Sequence, residues 1–161
     1  IDCVSEVGEG TTLKLYFPAS KSLEKRPKNG MQLQEESLLS GSETVLVVED
    51  DMQILDLWNH ILPNYGYKVI PAADGENAIR VYAKNNIDVI ILDLEMPGMG
   101  GIKCLEKLLT INRDARVIIS SGYSLNGSVK KAMNSGAMAF LSKPVGINDL
   151  LKTVRHVVEH N

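Results

Sequence analysis

The sequence predicts an α/β domain, a doubly wound five-stranded parallel sheet covered by helices on both faces, spanning residues 43–161. Three observations predict it. From Thr44 onward, short apolar runs alternate with longer amphipathic stretches, as in repeated βα units. The runs are unbroken, as strands covered on both faces require. Five such units also fit one compact domain of ordinary size.

The first run, Val45-Leu46-Val47-Val48, leads into a helix whose stripe is Ile54, Leu57, Trp58 and Ile61. Pro63-Asn64-Tyr65-Gly66 ends that helix by removing a backbone donor and supplying a turn. The second run, Lys68-Val69-Ile70, has only two apolar residues and carries a charge, which assigns it to a sheet edge. Asp74 is the expected N-cap of the second helix, which turns Ala78, Ile79 and Tyr82 inward. Val89-Ile90-Ile91-Leu92 is the third strand, and Ile102, Leu105, Leu108 and Leu109 mark the third helix. Val117-Ile118-Ile119 precedes a weaker fourth helix with Val129, Ala132 and Met133. Met138-Ala139-Phe140-Leu141 is the fifth strand, and Ile147, Leu150, Leu151, Val154, Val157 and Val158 give the last helix its apolar face.

Ahead of this domain, residues 19–42 are polar, charged and poor in β-branched residues, the composition of a linker, with a short helix over Gln32–Leu39 as the local alternative. The net charge of −3, without a Lys/Arg cluster on any helix, argues against nucleic acid or an anionic membrane as a partner. Cys3 and Cys104 have neither metal-ligand spacing nor a disulfide pattern and read as reduced thiols. No apolar run is long enough to span a bilayer and no leader pattern opens the chain, so the fragment is expected to be cytoplasmic.

The chemistry is expected beyond the carboxyl ends of the strands, where the connections diverge. Glu49-Asp50-Asp51 follow the first strand and Asp93 ends the third, so at least three carboxylates converge. Like charges so close repel unless a cation sits among them, and a site offering carboxylates without Cys or His suits Mg²⁺. Ser121 after the fourth strand and Lys143-Pro144 after the fifth add a hydroxyl and an ammonium, the groups that hold a phosphoryl group by its equatorial oxygens. Asp93 is then the nucleophile that becomes an aspartyl phosphate. The proline suggests a cis peptide bond that aims Lys143 inward. Met96, Met99, Met133 and Met138 read as packing residues, and His60, His156 and His160 lie in no kinase motif.

The set VLVVEDD, IILDLEMPGMGG, VIISSGYS and FLSKPV closely resembles the response-regulator receiver family. That resemblance implies a flavodoxin-like (βα)5 fold with strand order 2-1-3-4-5. It implies Glu49 and Asp50 as the acidic pair, with Asp50 a direct Mg²⁺ ligand, Asp93 the phosphoacceptor, and the backbone carbonyl of Glu95 a further ligand. Ser121 matches the switch hydroxyl and Phe140 the switch aromatic, which together reshape the face of the fourth helix, fifth strand and fifth helix. Glu in the first acidic position, where Asp is common, is the one departure. Glu95 and Tyr123 resemble the positions that tune phosphoryl lifetime.

Residues 1–18, IDCVSEVGEGTTLKLYFP, lie outside the receiver. Leu13–Phe17 alternates like a strand, preceded by a turn over Gly8–Thr12. The segment resembles the last hairpin of the histidine-kinase ATP-binding domain, which implies the C-terminal part of a hybrid histidine kinase, itself anchored in a membrane upstream where it has an anchor. The expected phosphoryl donor is the phosphohistidine of that kinase. The expected output is a histidine phosphotransfer protein or feedback on the kinase, without a DNA-binding domain, and the switch face offers a surface for a homodimer. The fragment itself would accept phosphoryl and slowly dephosphorylate. Two alternatives remain: a pseudo-receiver serving as a binding or dimerisation module, which would lack acceptor or metal residues, and an aspartyl-nucleophile phosphatase, which usually needs a second Asp where Glu95 stands.

Overall fold

The computed structural model describes residues 1–16, 39–122 and 127–160. Most of the expected linker, its alternative helix up to residue 38, Phe17, Pro18 and Tyr123 fall outside the described residues.

Two strands, β1 (Asp2–Glu6) and β2 (Gly10–Lys14), form an antiparallel hairpin of their own. The strand therefore starts at Gly10 and takes in Thr11 and Thr12, which the sequence reading assigned to a turn. The turn closes earlier, with Glu9 N–H donating to the Glu6 carbonyl and positive φ at Gly8 and Gly10, where glycine carries no steric cost.

The second sheet contains β3 (Thr44–Val48), β4 (Lys68–Ala72), β5 (Val89–Asp93), β6 (Val117–Ser121) and β7 (Ala139–Ser142). They are parallel in the order β4-β3-β5-β6-β7, which is the 2-1-3-4-5 order within this domain. β4 is an edge strand, as Lys68 suggested, and it tolerates Pro71 because an edge strand can spare one ladder donor.

Helices α1 (Met52–Ile61), α2 (Gly75–Tyr82), α3 (Gly101–Ile111), α4 (Gly127–Ser135) and α5 (Ile147–Glu159) cover the sheet. Strand residues alternate between two cores. Leu46, Val48, Ile90 and Leu92 pack with Ala78 of α2, Leu105 and Leu108 of α3, and Ala132 of α4. Val45, Val47, Val89 and Ile91 pack with Leu55 and Trp58 of α1 and with Leu150, Leu151 and Val154 of α5. Each fully buried Leu, Ile or Val contributes about 1.5–3 kcal/mol, so the two cores hold the strand ends in fixed register.

Three stripe residues differ from expectation. Leu57, Met133 and Ile147 are exposed, at 49%, 38% and 41%. In α1 the buried positions are Leu55 and Trp58, with Leu62 buried in the 3-10 turn that follows, so the inward face is rotated and Leu57 falls on its flank. Met133 and Ile147 lie at the margins of faces already filled by Val129 with Ala132, and by Leu150 with Leu151. Met96, Met99 and Met138 do pack against the cores.

Asp74 caps α2 as expected, accepting from Asn77 N–H at 2.6 Å. The 3-10 turn Leu62–Tyr65 after α1 ends at Gly66, whose φ of 89° suits glycine.

Candidate functional site

Four strand ends build the site. Glu49 follows β3, buried, with its N–H donated to the Ala72 carbonyl of β4 at 3.1 Å. Asp93 closes β5 and is 2% exposed. Ser121 closes β6 and is buried. Lys143 follows β7, its N–H donated to the Ser121 carbonyl at 2.9 Å, and the Lys143–Pro144 peptide is cis. Gly101 lets α3 begin hard against this edge, because a Cβ there would strike the Asp93 carbonyl oxygen and the Leu94 Cα.

The Lys143 ammonium bridges the two buried acids. Its Nζ donates to Asp93 Oδ2 at 2.7 Å and to Glu49 Oε2 and Oε1 at 2.9 and 3.2 Å. The other oxygen of Asp93, Oδ1, accepts the Glu95 backbone N–H at 3.0 Å. Burial, reinforced by the nearby Asp93 charge, raises the Glu49 carboxyl above its ordinary value despite the Lys143 hydrogen bond. Burial by itself would lower Lys143, but hydrogen bonds to Asp93 and Glu49 outweigh it and the ammonium is held above its ordinary value.

Glu49, Asp50 and Asp93 each bring a carboxylate oxygen within 4.8 Å of the others. This is the one cluster of three or more acidic, His or Cys ligand groups among the described residues. Asp50 is exposed, which leaves the cluster open to solvent on one side. Asp51, the third acid of that run, caps α1 instead, accepting from Gln53 N–H at 2.8 Å and Ile54 N–H at 3.4 Å.

Ser121 stands where expected, but its hydroxyl donates to the Glu95 side chain, at 3.0 Å from Oε1. The sequence reading gave Glu95 a backbone ligand role and a part in phosphoryl lifetime, and did not foresee this bond. Phe140 is half-buried against the core under α2, α3 and α4, opposite Ile119 in the β6–β7 ladder.

A second feature escaped the sequence. A cavity of about 480 Å³ opens between α1 and α5, lined by Ile54, Leu57, Trp58, Val145 and Leu150, with Glu49 and Lys143 also in its wall. His60 and His160 place Nδ1 on the Asp56 and His156 carbonyls of their own helices, within 2.7 and 3.1 Å, and stay at the surface.

A parallel sheet with a buried acid at the end of its central strand, a second acid beside it and a lysine joining them defines a receiver of two-component signalling. The response regulator receiver domain model matches residues 45–155, and the chain belongs to that family. The chain is 32% identical to the sensor kinase CckA of Brucella abortus over 166 aligned positions, which cover 99% of this chain and 18% of that protein. It is 31% identical to sporulation initiation phosphotransferase F of Bacillus subtilis, over 71% of this chain and 92% of that one. Among solved structures, response regulator protein TrrA from Thermotoga maritima, in complex with Mg²⁺ and BeF, superposes with a TM-score of 0.66 at 29% identity, covering 71% of this chain and 98% of that one. Among the described residues no helix is long and apolar enough to cross a membrane.

Proposed function

We propose that Asp93 accepts a phosphoryl group from the phosphohistidine of a histidine kinase, or exchanges it with a histidine phosphotransfer protein. The observation that carries this reading is the treatment of Asp93: a buried strand-end carboxylate whose Oδ2 is held by Lys143 and whose Oδ1 is held by a backbone N–H. An Asp93 oxygen forms the new P–O bond as the P–N bond to the donor imidazole breaks, and the electron pair leaves with the imidazole nitrogen. Lys143 pairs with the charge on the incoming oxygens. After transfer, the Ser121 hydroxyl turns to a phosphoryl oxygen and Phe140 rotates into the vacated space, changing the α4/β7/α5 face that meets a partner or a second copy.

The donor set fits Mg²⁺: three carboxylates, all oxygen, one face open to water. Glu49, Asp50, Asp93 and the Glu95 carbonyl would hold the ion, which when bound neutralises phosphoryl charge. The pseudo-receiver alternative loses ground because the acids, the hydroxyl and the lysine are all present in one constellation. Glu95 in place of a second Asp disfavours the phosphatase.

Residues 1–18 fit the end of a kinase ATP-binding domain, joined to the receiver through 19–42. The alignment with a sensor kinase extends over nearly the whole chain, beyond the stretch the receiver model matches. The hairpin also carries Ile1, Cys3, Leu13 and Leu15 on one side, exposed, as strands that belong to a larger sheet would.

Incubation with Mg²⁺ and acetyl phosphate should add the mass of one phosphoryl group to the wild-type chain and none to Asp93→Asn. A folded wild-type chain that stays unmodified, and also binds no beryllofluoride, would remove the acceptor reading in favour of the pseudo-receiver.

A further inference from the structure

We propose that the Glu95 carboxylate is a latch on the switch: it occupies the Ser121 hydroxyl before phosphorylation, so that the phosphoryl group must win this hydroxyl from Glu95. The inference rests on the reading of Asp93 as acceptor and adds a positioning residue to it.

A hydroxyl has one hydrogen to donate. In this structure Ser121 donates it to Glu95 Oε1 at 3.0 Å. A carboxylate is a strong, charged acceptor of the same kind as a phosphoryl oxygen, so the two compete for one donor. Ser121 is buried, while Glu95 is exposed and can swing away into solvent once displaced. The Glu95 carboxylate also lies against Gly122, close enough that a Cβ there would touch it at ordinary van der Waals distance.

The backbone ties the latch to the acceptor. The N–H of Glu95 donates to Asp93 Oδ1 at 3.0 Å, so one residue touches both the acceptor carboxylate and the switch hydroxyl. Phosphorylation that disturbs Oδ1 disturbs the anchor of the latch in the same event. Glu95 thereby sets how much phosphoryl binding energy is spent on turning the switch.

The test uses the full chain as wild type, Glu95→Ala, Glu95→Gln, Ser121→Ala and Glu95→Ala/Ser121→Ala. Beryllofluoride affinity with Mg²⁺ is read from Trp58 fluorescence. Glu95→Ala should bind about tenfold tighter than wild type, the worth of a hydrogen bond to a charged acceptor. Glu95→Gln, which keeps an acceptor oxygen, should fall nearer to wild type. In the Ser121→Ala background the same Glu95→Ala change should tighten binding by no more than about twofold. Equal tightening in both backgrounds would overturn the latch and leave Glu95 acting through charge alone.

A second arm needs neither metal nor beryllofluoride. The ¹³Cβ shift of Ser121 and the exchange rate of its hydroxyl proton should change in Glu95→Ala and change less in Glu95→Gln. Unaltered Ser121 signals in Glu95→Ala would overturn the proposal. If wild type binds no beryllofluoride while Ser121 still responds to Glu95→Ala, the acceptor reading fails and the latch contact stands.

Discussion

Two glutamates at opposite ends of the sheet each pair with a cation, and their carboxyls move in opposite directions. At the carboxyl end, Glu49 shares Lys143 with Asp93, and burial beside a second acid holds it above its ordinary value. At the amino end, Glu43 takes the two-point pairing with Arg155, whose Nε also lies 3.4 Å from the exposed Glu159 carboxylate. The guanidinium of α5 meets both Glu43 oxygens, at 2.6 and 3.1 Å, while its NH1 also donates to the Ser40 carbonyl at 3.0 Å. The guanidinium also stands 5.8 Å from the centre of the Tyr67 ring. Burial alone would raise Glu43, yet the Arg155 hydrogen bond and charge, with help from nearby backbone, hold it below its ordinary value. The amino end sets one guanidinium against a single part-buried acid, with Glu159 out in solvent, and serves stability. The carboxyl end gathers three acids around one ammonium, an excess of negative charge that a fold would not keep for stability alone.

The largest effect expected from this contrast is at Lys143. Lys143→Ala leaves Glu49 and Asp93 buried without their shared ammonium and should cost about 3 kcal/mol in urea unfolding at neutral pH. Millimolar Mg²⁺ should recover much of that loss, because a cation that binds the folded carboxylates takes over their compensation. Arg155→Ala should cost about 2 kcal/mol through the lost two-point pair and the packing of its stem, and Mg²⁺ should recover none of it. Equal recovery in both variants would erase the distinction between the two ends.

How much of this contrast was legible beforehand differs between the ends. Glu49, Asp50, Asp93, Ser121 and Lys143 could be picked out because each follows an apolar run, and the sheet brings strand ends together by construction. The five-strand order came with the family resemblance, because apolar runs mark strands without saying which lie side by side. The Arg155–Glu43 pair was not legible, since 112 positions separate the two residues and neither belongs to a motif. It depends on how α5 lies across the start of β3, a matter of packing angle that periodicity does not encode. The Ser121–Glu95 bond was hidden in a different way. Both residues had been singled out, but a side-chain rotamer decides whether they meet. Leu57 was misassigned because a stripe of apolar residues fixes the centre of a helix face and leaves its flanks open.

The amino-end pair also carries a pH dependence, smaller than its full worth. Because the folded carboxyl of Glu43 lies below its usual 4.5, its contribution is fully present above that value and is lost as pH falls through the lowered one. The stability gap between wild type and Arg155→Ala should therefore be constant from pH 7 to about 5 and close as the pH falls further. A gap that persists undiminished at the lowest pH where both remain folded would assign the role of Arg155 to Tyr67 and the Ser40 carbonyl rather than to Glu43.

The smallest effect has the opposite sign. Asp50 is exposed yet contributes an oxygen to the acidic cluster, so in the absence of a cation it adds repulsion and gains nothing in return. Asp50→Asn should stabilise the metal-free protein by about 0.5 kcal/mol at low ionic strength, the size of a like-charge contact in a mostly aqueous dielectric. Added salt should shrink the gain, because exposed charges are screened. The same substitution should reduce the rise in melting temperature that Mg²⁺ produces, since it removes a charged ligand. A variant with better apo stability and poorer response to Mg²⁺ would mean that this carboxylate is kept for the ion and tolerated by the fold. Loss of stability without the ion would instead make Asp50 part of the scaffold, and the excess charge at the carboxyl end would then rest on Glu49 and Asp93 alone.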